Sequence, residues 1–505
     1  MKTTTALIFS GLTLATFAQD WPMWGRDGTR NMVGEAKDLP TDILPGELDD
    51  DTEAAILTDA KNIKWAAKLG SQAYGNAVVA GGKVYVGTNN ESPRDPQHKG
   101  DRGILMAFNE KDGSFAWQLV IPKLGAGKVS DWEYVGLCSS PAVEGERMWL
   151  VTNRGEIICL DTNGLANGND GPFKDEAKFM STDGTPIELN DKTADILWVY
   201  DMREELGIFP HNVSSCSPVI DGDLLFTATS NGVDWSHTNI PAPSSPALVA
   251  LNKNTGELVG EEGAGVSERV LHASWSSPAH GKLAGKDTIA WGGGDGFAYA
   301  FEPTPVKDDE GFGIFKELWR HDCNPPEYRK DRYGKPIKYA TFSGPSEIIA
   351  TAVIADDRVY TIIGQDPEHG DGVGMITCLD AKGKTVWTTP IDADESVGRS
   401  ISTMSVADGL VYAAEYKGDI HCFDAVTGKQ YWKYETQSRI WGSTLVADGK
   451  VWIGTEDGEL HILKTGKELK PINTVEFPAP IYSSAVVANN VVYIATQTHI
   501  YAIGK

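Results

Sequence analysis

Eight times along this chain a short signature returns, and that recurrence constrains the fold more than any other feature. A small residue, a hydrophobic residue and usually an acidic or amide residue close a β-rich run. The clear copies are Ala107-Phe108-Asn109, Cys159-Leu160-Asp161, Ala250-Leu251-Asn252, Ala300-Phe301-Glu302, Cys378-Leu379-Asp380 and Cys422-Phe423-Asp424. Weaker copies stand at Ile462-Leu463-Lys464 and Ala502-Ile503-Gly504. A glycine-containing turn and then a tryptophan follow the clearest copies, at Trp117, Trp387 and Trp432, while Trp198 and Trp319 take the same place after longer insertions. Self-similarity at a period of about 40 residues marks repeated supersecondary units.

Each unit divides into four short strands. In residues 441–478, turns at Asp448-Gly449 and Asp457-Gly458 separate three β-rich runs, and a fourth lies near Ile472 to Phe477. Asp-Gly between β-rich runs is a hairpin signal, and no helical periodicity intervenes. The expected fold is therefore all-β: an eight-bladed β-propeller of four-stranded antiparallel blades. The innermost strands align Asn76, Ser140, Ser217, Ser277, Thr351, Thr403, Ser443 and Ser484 in one column. The expected blades are 74–118, 137–202, 214–262, 274–322, 349–389, 401–436, 441–478 and 482–505. The last stops after three strands. Asn62 to Lys68, which carries Trp65, supplies the fourth, so the two ends of the chain close the ring and remove two exposed sheet edges.

Residues 1–18 read as a signal peptide: Lys2, an apolar run from Ala6 to Phe17, and a small-residue cleavage site near Ala18. Residues 19–61 are an N-terminal extension, and 62–505 a single domain. No later stretch approaches the roughly 20 apolar residues of a membrane span. The mature chain is expected to be a periplasmic or secreted monomer. A net charge of −25 argues against nucleic acid as a partner, because phosphate binding needs clustered Lys and Arg. Of the six cysteines, Cys159, Cys378 and Cys422 share a column with alanines and read as small core residues. Cys138 and Cys216 open the inner strands of blades 2 and 3, where an oxidising compartment permits a disulfide.

The repeat, seen at its fullest from Asp419 to Trp432, strongly resembles the pyrroloquinoline quinone (PQQ) enzyme repeat. The segment Asp20-Trp21-Pro22-Met23-Trp24-Gly25-Arg26 is similar to the leader of exported members of that superfamily. The resemblance covers nearly the whole mature chain. It implies that Trp65, Trp117, Trp198, Trp319, Trp387 and Trp432 dock between neighbouring blades. Two branches of the superfamily bear on function. Quinoprotein dehydrogenases hold PQQ on the ring axis with calcium bound by carboxylate and amide ligands, use an aspartate base, and commonly carry a disulfide between sequence-adjacent cysteines. This chain has no adjacent cysteine pair and no Cys-x-x-Cys-His motif. The propeller lipoprotein of the outer-membrane barrel assembly machinery is a non-enzymatic scaffold; here no cysteine lies near the cleavage site to take a lipid. The preferred reading is a binding or scaffold protein that takes a protein or small-molecule ligand on one loop-rich face. The alternative is a PQQ- and Ca-dependent oxidoreductase of the alcohol or sugar dehydrogenase type.

The insertions locate that face. Segments 89–103, 231–247 and 365–374 join second to third strands, and 203–215 and 320–350 join blades. All lie beside the entrances of the inner strands. Loops on a rigid scaffold are where function concentrates. Asp95-Pro96-Gln97-His98 in blade 1 matches Asp366-Pro367-Glu368-His369 in blade 5, diametrically opposite in a ring of eight. His98, Asp101, His369 and Asp371 are therefore candidate metal ligands facing each other over the axis; the alternative is a pair of Asp-Pro turns. His211, Asp234 and His237 on blade 3 are candidates for a catalytic base or metal ligands, against simple loop stabilisation. Two positions before the inner column lie Tyr74, Cys138, Ser215, Trp275, Ile349, Ile401, Trp441 and Tyr482. Tyr74, Trp275, Trp441 and Tyr482, with Arg399, are candidates to sandwich a flat cofactor such as a quinone, or else to fill the channel. The loop from Asp161 to Gly171 is rich in oxygen donors but lacks EF-hand spacing. No Gly-x-Ser-x-Gly, His-Glu-x-x-His or phosphate-loop pattern occurs.

Overall fold

The computed structural model describes residues 19–391 and 396–505; the expected signal peptide, residues 1–18, lies outside them. Among the described residues the chain forms an eight-bladed β-propeller with very little helix. In blade 1 the strands Val78–Ala80, Lys83–Asn89, Arg102–Asn109 and Phe115–Pro122 pair in chain order and antiparallel. The inner hairpins of blades 2 and 3 turn on one residue of positive φ, Gly145 and Gly222. The other six turn where two successive residues take positive φ, as at Asp448 (+52°) and Gly449 (+66°). That geometry matches the right-handed twist of the flanking strands.

The repeated signature has a structural meaning. Between the third and fourth strands of every blade the register shifts at the same place, from Ala107/Phe108 in blade 1 to Ala502/Ile503 in blade 8. The signature is therefore a β-bulge, which bends the strand and re-aims a side chain. The small residue lies directly across from the tryptophan: Ala107 from Trp117, Cys159 from Trp198, Ala300 from Trp319, Cys378 from Trp387, Cys422 from Trp432 and Ala502 from Trp65. Blades 3 and 7 have no tryptophan there: Ala250 faces Gly260, and Ile462 faces Asn473. The small residue leaves room for the indole.

Each of these indoles lies on the next blade. Trp387 of blade 5 donates its Nε1–H to the Ala425 carbonyl of blade 6 at 3.0 Å. A Cβ on Gly428 would meet its ring at 2.6 Å. Trp65, Trp117, Trp198, Trp319 and Trp432 donate to carbonyls of the following blade in the same way. Gly428→Ala is expected to destabilise by about 2–4 kcal/mol, combining left-handed backbone strain with a clash against the indole. Gly409, at the same φ of +72° but with open space around it, isolates the backbone part, and Gly409→Ala should lose only about 1–2 kcal/mol. Urea unfolding midpoints of the two variants check the difference.

The closing strand Ile63–Lys68 pairs antiparallel with His499–Ile503, setting Trp65 against Ala502. Blades 3 and 7 depart from four strands. A hairpin inserted in blade 4, Val306–Lys307 with Gly313–Phe315, attaches parallel to the outer strand of blade 3. Val33–Gly34 attaches parallel to the inner strand of blade 7.

Around the axis the small polar column forms a girdle. The backbone N–H of Ser140 donates to Ser217 Oγ, Ser217 to Ser277, Thr351 to Thr403, Thr403 to Ser443, Ser443 to Ser484 and Ser484 to Asn76, at 2.7–3.1 Å. Short hydroxyl and amide side chains are used because each must reach one neighbouring N–H without filling the axis.

Below the girdle sits the segment from Gln19 to Gly34, which touches all eight blades. Trp21 exchanges two backbone hydrogen bonds with Val79 of blade 1, Pro22 accepts from Val143 of blade 2, and Gly28 accepts from His280 of blade 4. Trp24 Nε1–H donates to Thr351 Oγ1 of blade 5 at 3.0 Å. Asn31 is paired with the Val406 backbone of blade 6, Met32 O accepts from Val446 of blade 7, and Gln19 O from Asn489 of blade 8. Arg30 reaches Ser217 O of blade 3 at 2.9 Å. Asp20 accepts from Gly81, in the first hairpin turn, so this segment closes the face opposite the insertions. What reads in the sequence as an extension is a plug.

Candidate functional site

With one end plugged, the axis is a funnel open at the entrance face. Its cavity measures about 700 Å³, with Trp24 of the plug in its lining and Asn76, Ser443 and Ser484 of the girdle beside it. All eight residues of the column that begins at Tyr74 and ends at Tyr482 line it. The aromatics are not spread evenly. Tyr74 stacks on Tyr482 with ring centroids 4.9 Å apart, and Trp441 meets Tyr482 at 5.3 Å and Tyr416 at 5.6 Å. Arg439 lies over the Tyr416 ring, and Glu456 accepts from Trp441 Nε1 at 3.1 Å. Burial raises the Tyr74 phenol well above its ordinary pKa, so the platform is uncharged at neutral pH. Trp275 stands on blade 4, across the ring from blade 8, its Nε1–H held by the carbonyls of His211 (3.1 Å) and Val213 (3.0 Å).

Behind Trp275 four histidines meet. His211 Nε2 lies 2.8 Å from His272 Nε2. The His237 ring is 5.0 Å from that of His211 and 4.8 Å from that of His272, and the His369 ring is 5.1 Å from His272. His211 and His237 come from blade 3 loops, His272 from the approach to blade 4, and His369 from the blade 5 insertion. Burial and the neighbouring His272 hold the His211 pKa down to about 3, and burial lowers that of His272 as well. Glu347, fully buried, has Oε1 3.7 Å from His272 Nδ1, and burial pushes its carboxyl up to about 8. At neutral pH these groups are neutral, so the contact is not an ion pair. The tautomers follow. His211 Nδ1 lies 2.6 Å from the Val233 carbonyl, which can only accept, so Nδ1 carries the proton. Nε2 of His211 then accepts from Nε2–H of His272, which leaves His272 Nδ1 bare toward Glu347.

The residues expected from sequence are thus redistributed. His211, His237 and His369 come together. Asp234 does not join them: its carboxylate accepts from Ser236 N (2.9 Å), Ser236 Oγ (2.6 Å) and Asn239 Nδ2 (2.8 Å), stabilising its own loop. His98 and His369 share no cluster of possible ligands among the described residues. Blade 1's His98 is buried by its own loop, Asp101 accepts from Tyr134 N at 2.6 Å, and Asp371 is exposed. Arg399 does not line the funnel; its guanidinium donates to the carbonyls of Thr341, Phe342 and His369. All six cysteines are free, and Cys216 Sγ instead accepts from Thr227 Oγ1 and Ala228 N, both at 3.1 Å. In the 161–171 loop, the Asn169 and Asp170 oxygens accept from the Lys174 ammonium at 2.5–3.1 Å, where a bound cation would otherwise sit.

Sequence reasoning missed His272 and Glu347. The available signal was positional: His272 and His211 both fall three or four residues before the funnel column of adjacent blades, and Glu347 two before it. A second group, Glu415, Asp419 and His421 on blade 6, is wholly buried. Its acids are tied to the Gly398 N–H and the Lys433 ammonium.

The family model described as outer membrane protein assembly factor BamB matches residues 49–165, 101–276 and 372–503. No curated protein matches the chain in sequence. Among solved structures, BamB from Moraxella catarrhalis is 15% identical over 86% of this chain and 95% of its own, with a TM-score of 0.51. A europium-containing methanol dehydrogenase is 13% identical over 95% and 89%, with a TM-score of 0.59. The quinohemoprotein alcohol dehydrogenase ADHIIG from Pseudomonas putida HK5 is 12% identical over 96% and 80%, with a TM-score of 0.60. At such identities the structural likeness speaks for the fold alone. The family model, however, spans well over half of the sequence, and the chain belongs to the outer membrane protein assembly factor BamB family of PQQ-like β-propellers.

Proposed function

We propose that the protein is an exported binding propeller that receives a partner protein on its entrance face, with the funnel as the pocket that seats an anchoring side chain. The observation that carries this reading is the placement of exposed aromatics. Tyr134, Trp235, Tyr333 and Phe342, from 49% to 72% exposed, all stand on loops of that face. Aromatic side chains are enriched in protein interfaces and dominate their hot spots. The plug supports the same reading, because a funnel with one mouth holds a ligand instead of passing it. No helix among the described residues is long and apolar enough to cross a membrane. The family's description as an assembly factor fits a role in contacting other proteins.

The test is photo-crosslinking in the cell envelope from positions 235 and 342, with position 312 on the outer edge of blade 3 as the control. Products from the first two and not from the third are expected. In the purified complex, Trp235→Ala should weaken binding roughly 30-fold, the value of one hot spot of about 2 kcal/mol. Crosslinks that do not distinguish the positions would overturn the reading.

The stacked Tyr74–Tyr482 pair, with Trp441 edge-on against it, favours a second reading, a flat aromatic ligand, and PQQ is the one the fold relatives suggest. The platform fits such a ring. The calcium that accompanies it is less well served: among the described residues, no three acidic, histidine or cysteine side chains converge in the funnel lining. Saturable PQQ binding with dye-linked alcohol or sugar oxidation in the presence of Ca²⁺ would replace the scaffold reading with the oxidoreductase one.

A further inference from the structure

We propose that His211, His237 and His272, with His369 beside them, form a binding site for a divalent transition-metal ion in the wall of the funnel mouth, where blades 3, 4 and 5 meet. One nitrogen from each of the first three can be chosen so that all three lie within 4.8 Å of one another. Metal–nitrogen distances of about 2.0–2.1 Å set the nitrogens of a tetrahedral or trigonal site roughly 3.3–3.6 Å apart. On binding, therefore, the His211–His272 pair opens slightly, the His272 proton moves from Nε2 to Nδ1 on the Glu347 side, and the His237 nitrogen draws in.

Two features separate this cluster from histidines that merely fill a core. The first is the orientation of the far nitrogens. A metal-ligating histidine usually directs its other ring nitrogen at a carbonyl or carboxylate, which fixes the ring and its tautomer. His211 Nδ1 faces the Val233 carbonyl at 2.6 Å, and His272 Nδ1 faces the Glu347 carboxyl at 3.7 Å, so the Nε2 atoms of both rings point into the same space. The second is a deficit of partners. His272 Nδ1, His369 Nδ1 and both oxygens of Glu347 are buried without a hydrogen-bond partner, although His272 is only 1% exposed and Glu347 wholly enclosed. Buried polar atoms left unpaired are destabilising by about 1–3 kcal/mol each, and native structures keep few of them. A cation that draws His272 and Glu347 into contact accounts for the unpaired His272 Nδ1 and the Glu347 carboxyl, and His369 Nδ1 is left free to turn to the ion.

The loop that brings in the third ligand is built for position. His237 takes a left-handed backbone with φ of +56°, a conformation that costs free energy for a side-chain-bearing residue and is concentrated at functional sites. Asp234 holds that loop through Ser236 and Asn239. An all-imidazole set suits zinc, copper, nickel or iron and is a poor match for calcium or magnesium, which prefer oxygen donors. His237 remains half-buried, so the ion would sit at the surface of the mouth and keep one side open, as catalytic zinc sites do.

The experiment uses the mature chain purified without a histidine tag, stripped with chelator and titrated with Co²⁺ alone. The expected result is saturable binding of one ion with visible absorption bands of nitrogen-ligated cobalt, displaced by Zn²⁺, and a rise in Tm that grows with metal concentration. His237→Ala, on a half-exposed loop where folding is preserved, should abolish the bands. Glu347→Gln should lower the affinity about 10–100-fold while the bands persist, the effect of a residue that positions a ligand without being one. His98→Ala should change nothing. Absence of bands in the unaltered protein, or bands that survive in His237→Ala, would overturn the assignment.

Discussion

Replacing Arg30 by alanine is expected to lower folding stability by about 3–5 kcal/mol, the range reached when a buried hydrogen-bonded cation is removed. The guanidinium is fully enclosed and donates to Trp24 O at 2.6 Å, Pro278 O at 2.8 Å and Ser217 O at 2.9 Å. Burial brings its pKa down to about 10, which still leaves it charged at neutral pH. It thus ties the plug to blades 3 and 4 with two charge-assisted bonds and braces the plug itself with a third, to Trp24 O. Alanine leaves three buried carbonyls without donors and a void beside them. Arg30→Lys keeps the charge but has no planar fork to reach three separate carbonyls, so an intermediate loss is expected. Urea midpoints give the magnitude, and acrylamide quenching of Trp24 reports whether the floor of the funnel has opened. A midpoint within about 1 kcal/mol of the unaltered protein would show that the plug does not depend on this residue.

The second large effect is expected at the closure. Trp65 is 5% exposed, meets the Tyr493 ring at 6.0 Å, and donates to Glu110 O of blade 1 at 2.9 Å. Its loss should be destabilising by about 3–5 kcal/mol, as for other buried aromatic-to-alanine changes. Trp387 provides the comparison, with similar burial and the same bond to the following blade. There the neighbouring strands are joined covalently within the chain. At Trp65 the sheet is held together across the two ends, so opening it frees the edge of His499–Ile503 for pairing with another molecule. Trp65→Ala should therefore aggregate at protein concentrations where Trp387→Ala only unfolds earlier. Light scattering during thermal ramps separates the two outcomes, and equal aggregation by both variants would count against a special role for the closure.

The parts of this fold that were legible from sequence are those written in short range. The bulge and the small polar girdle recur within every blade, and the bulge tryptophan and the paired positive-φ turn each in six of the eight, so the repeat count, the strand boundaries and the eight residues of the funnel column can be read from local sequence. The closing strand was legible for the same reason, because one copy lacked a piece that another segment carried. What was not legible depends on the ring being closed. Nothing in the spacing of Arg30 and Ser217, 187 positions apart, indicates that they touch. The histidine cluster gathers side chains from three blades, and matching loops suggested the wrong pairing: the likeness of the His98 and His369 segments reflects a shared Asp-Pro turn, while the partners of His369 lie on adjacent blades with unrelated sequences. Arg399 misled for a related reason, since a residue next to a funnel position in sequence can turn outward and hold a loop.

Plug and closing strand both come from the first 70 residues, and both rest on strands near residue 500. During synthesis, then, the segments made earliest are the last to find their places. Until the eighth blade has emerged, the strand that carries Trp65 has no partner and the plug no closed ring to fill, and the nascent chain must carry an incompletely covered tryptophan-rich stretch for almost its whole length. Assembly of this toroid is in that sense governed by its tail, and a holding chaperone that shields the first 70 residues would be expected to raise its yield more than one that acts on any later blade.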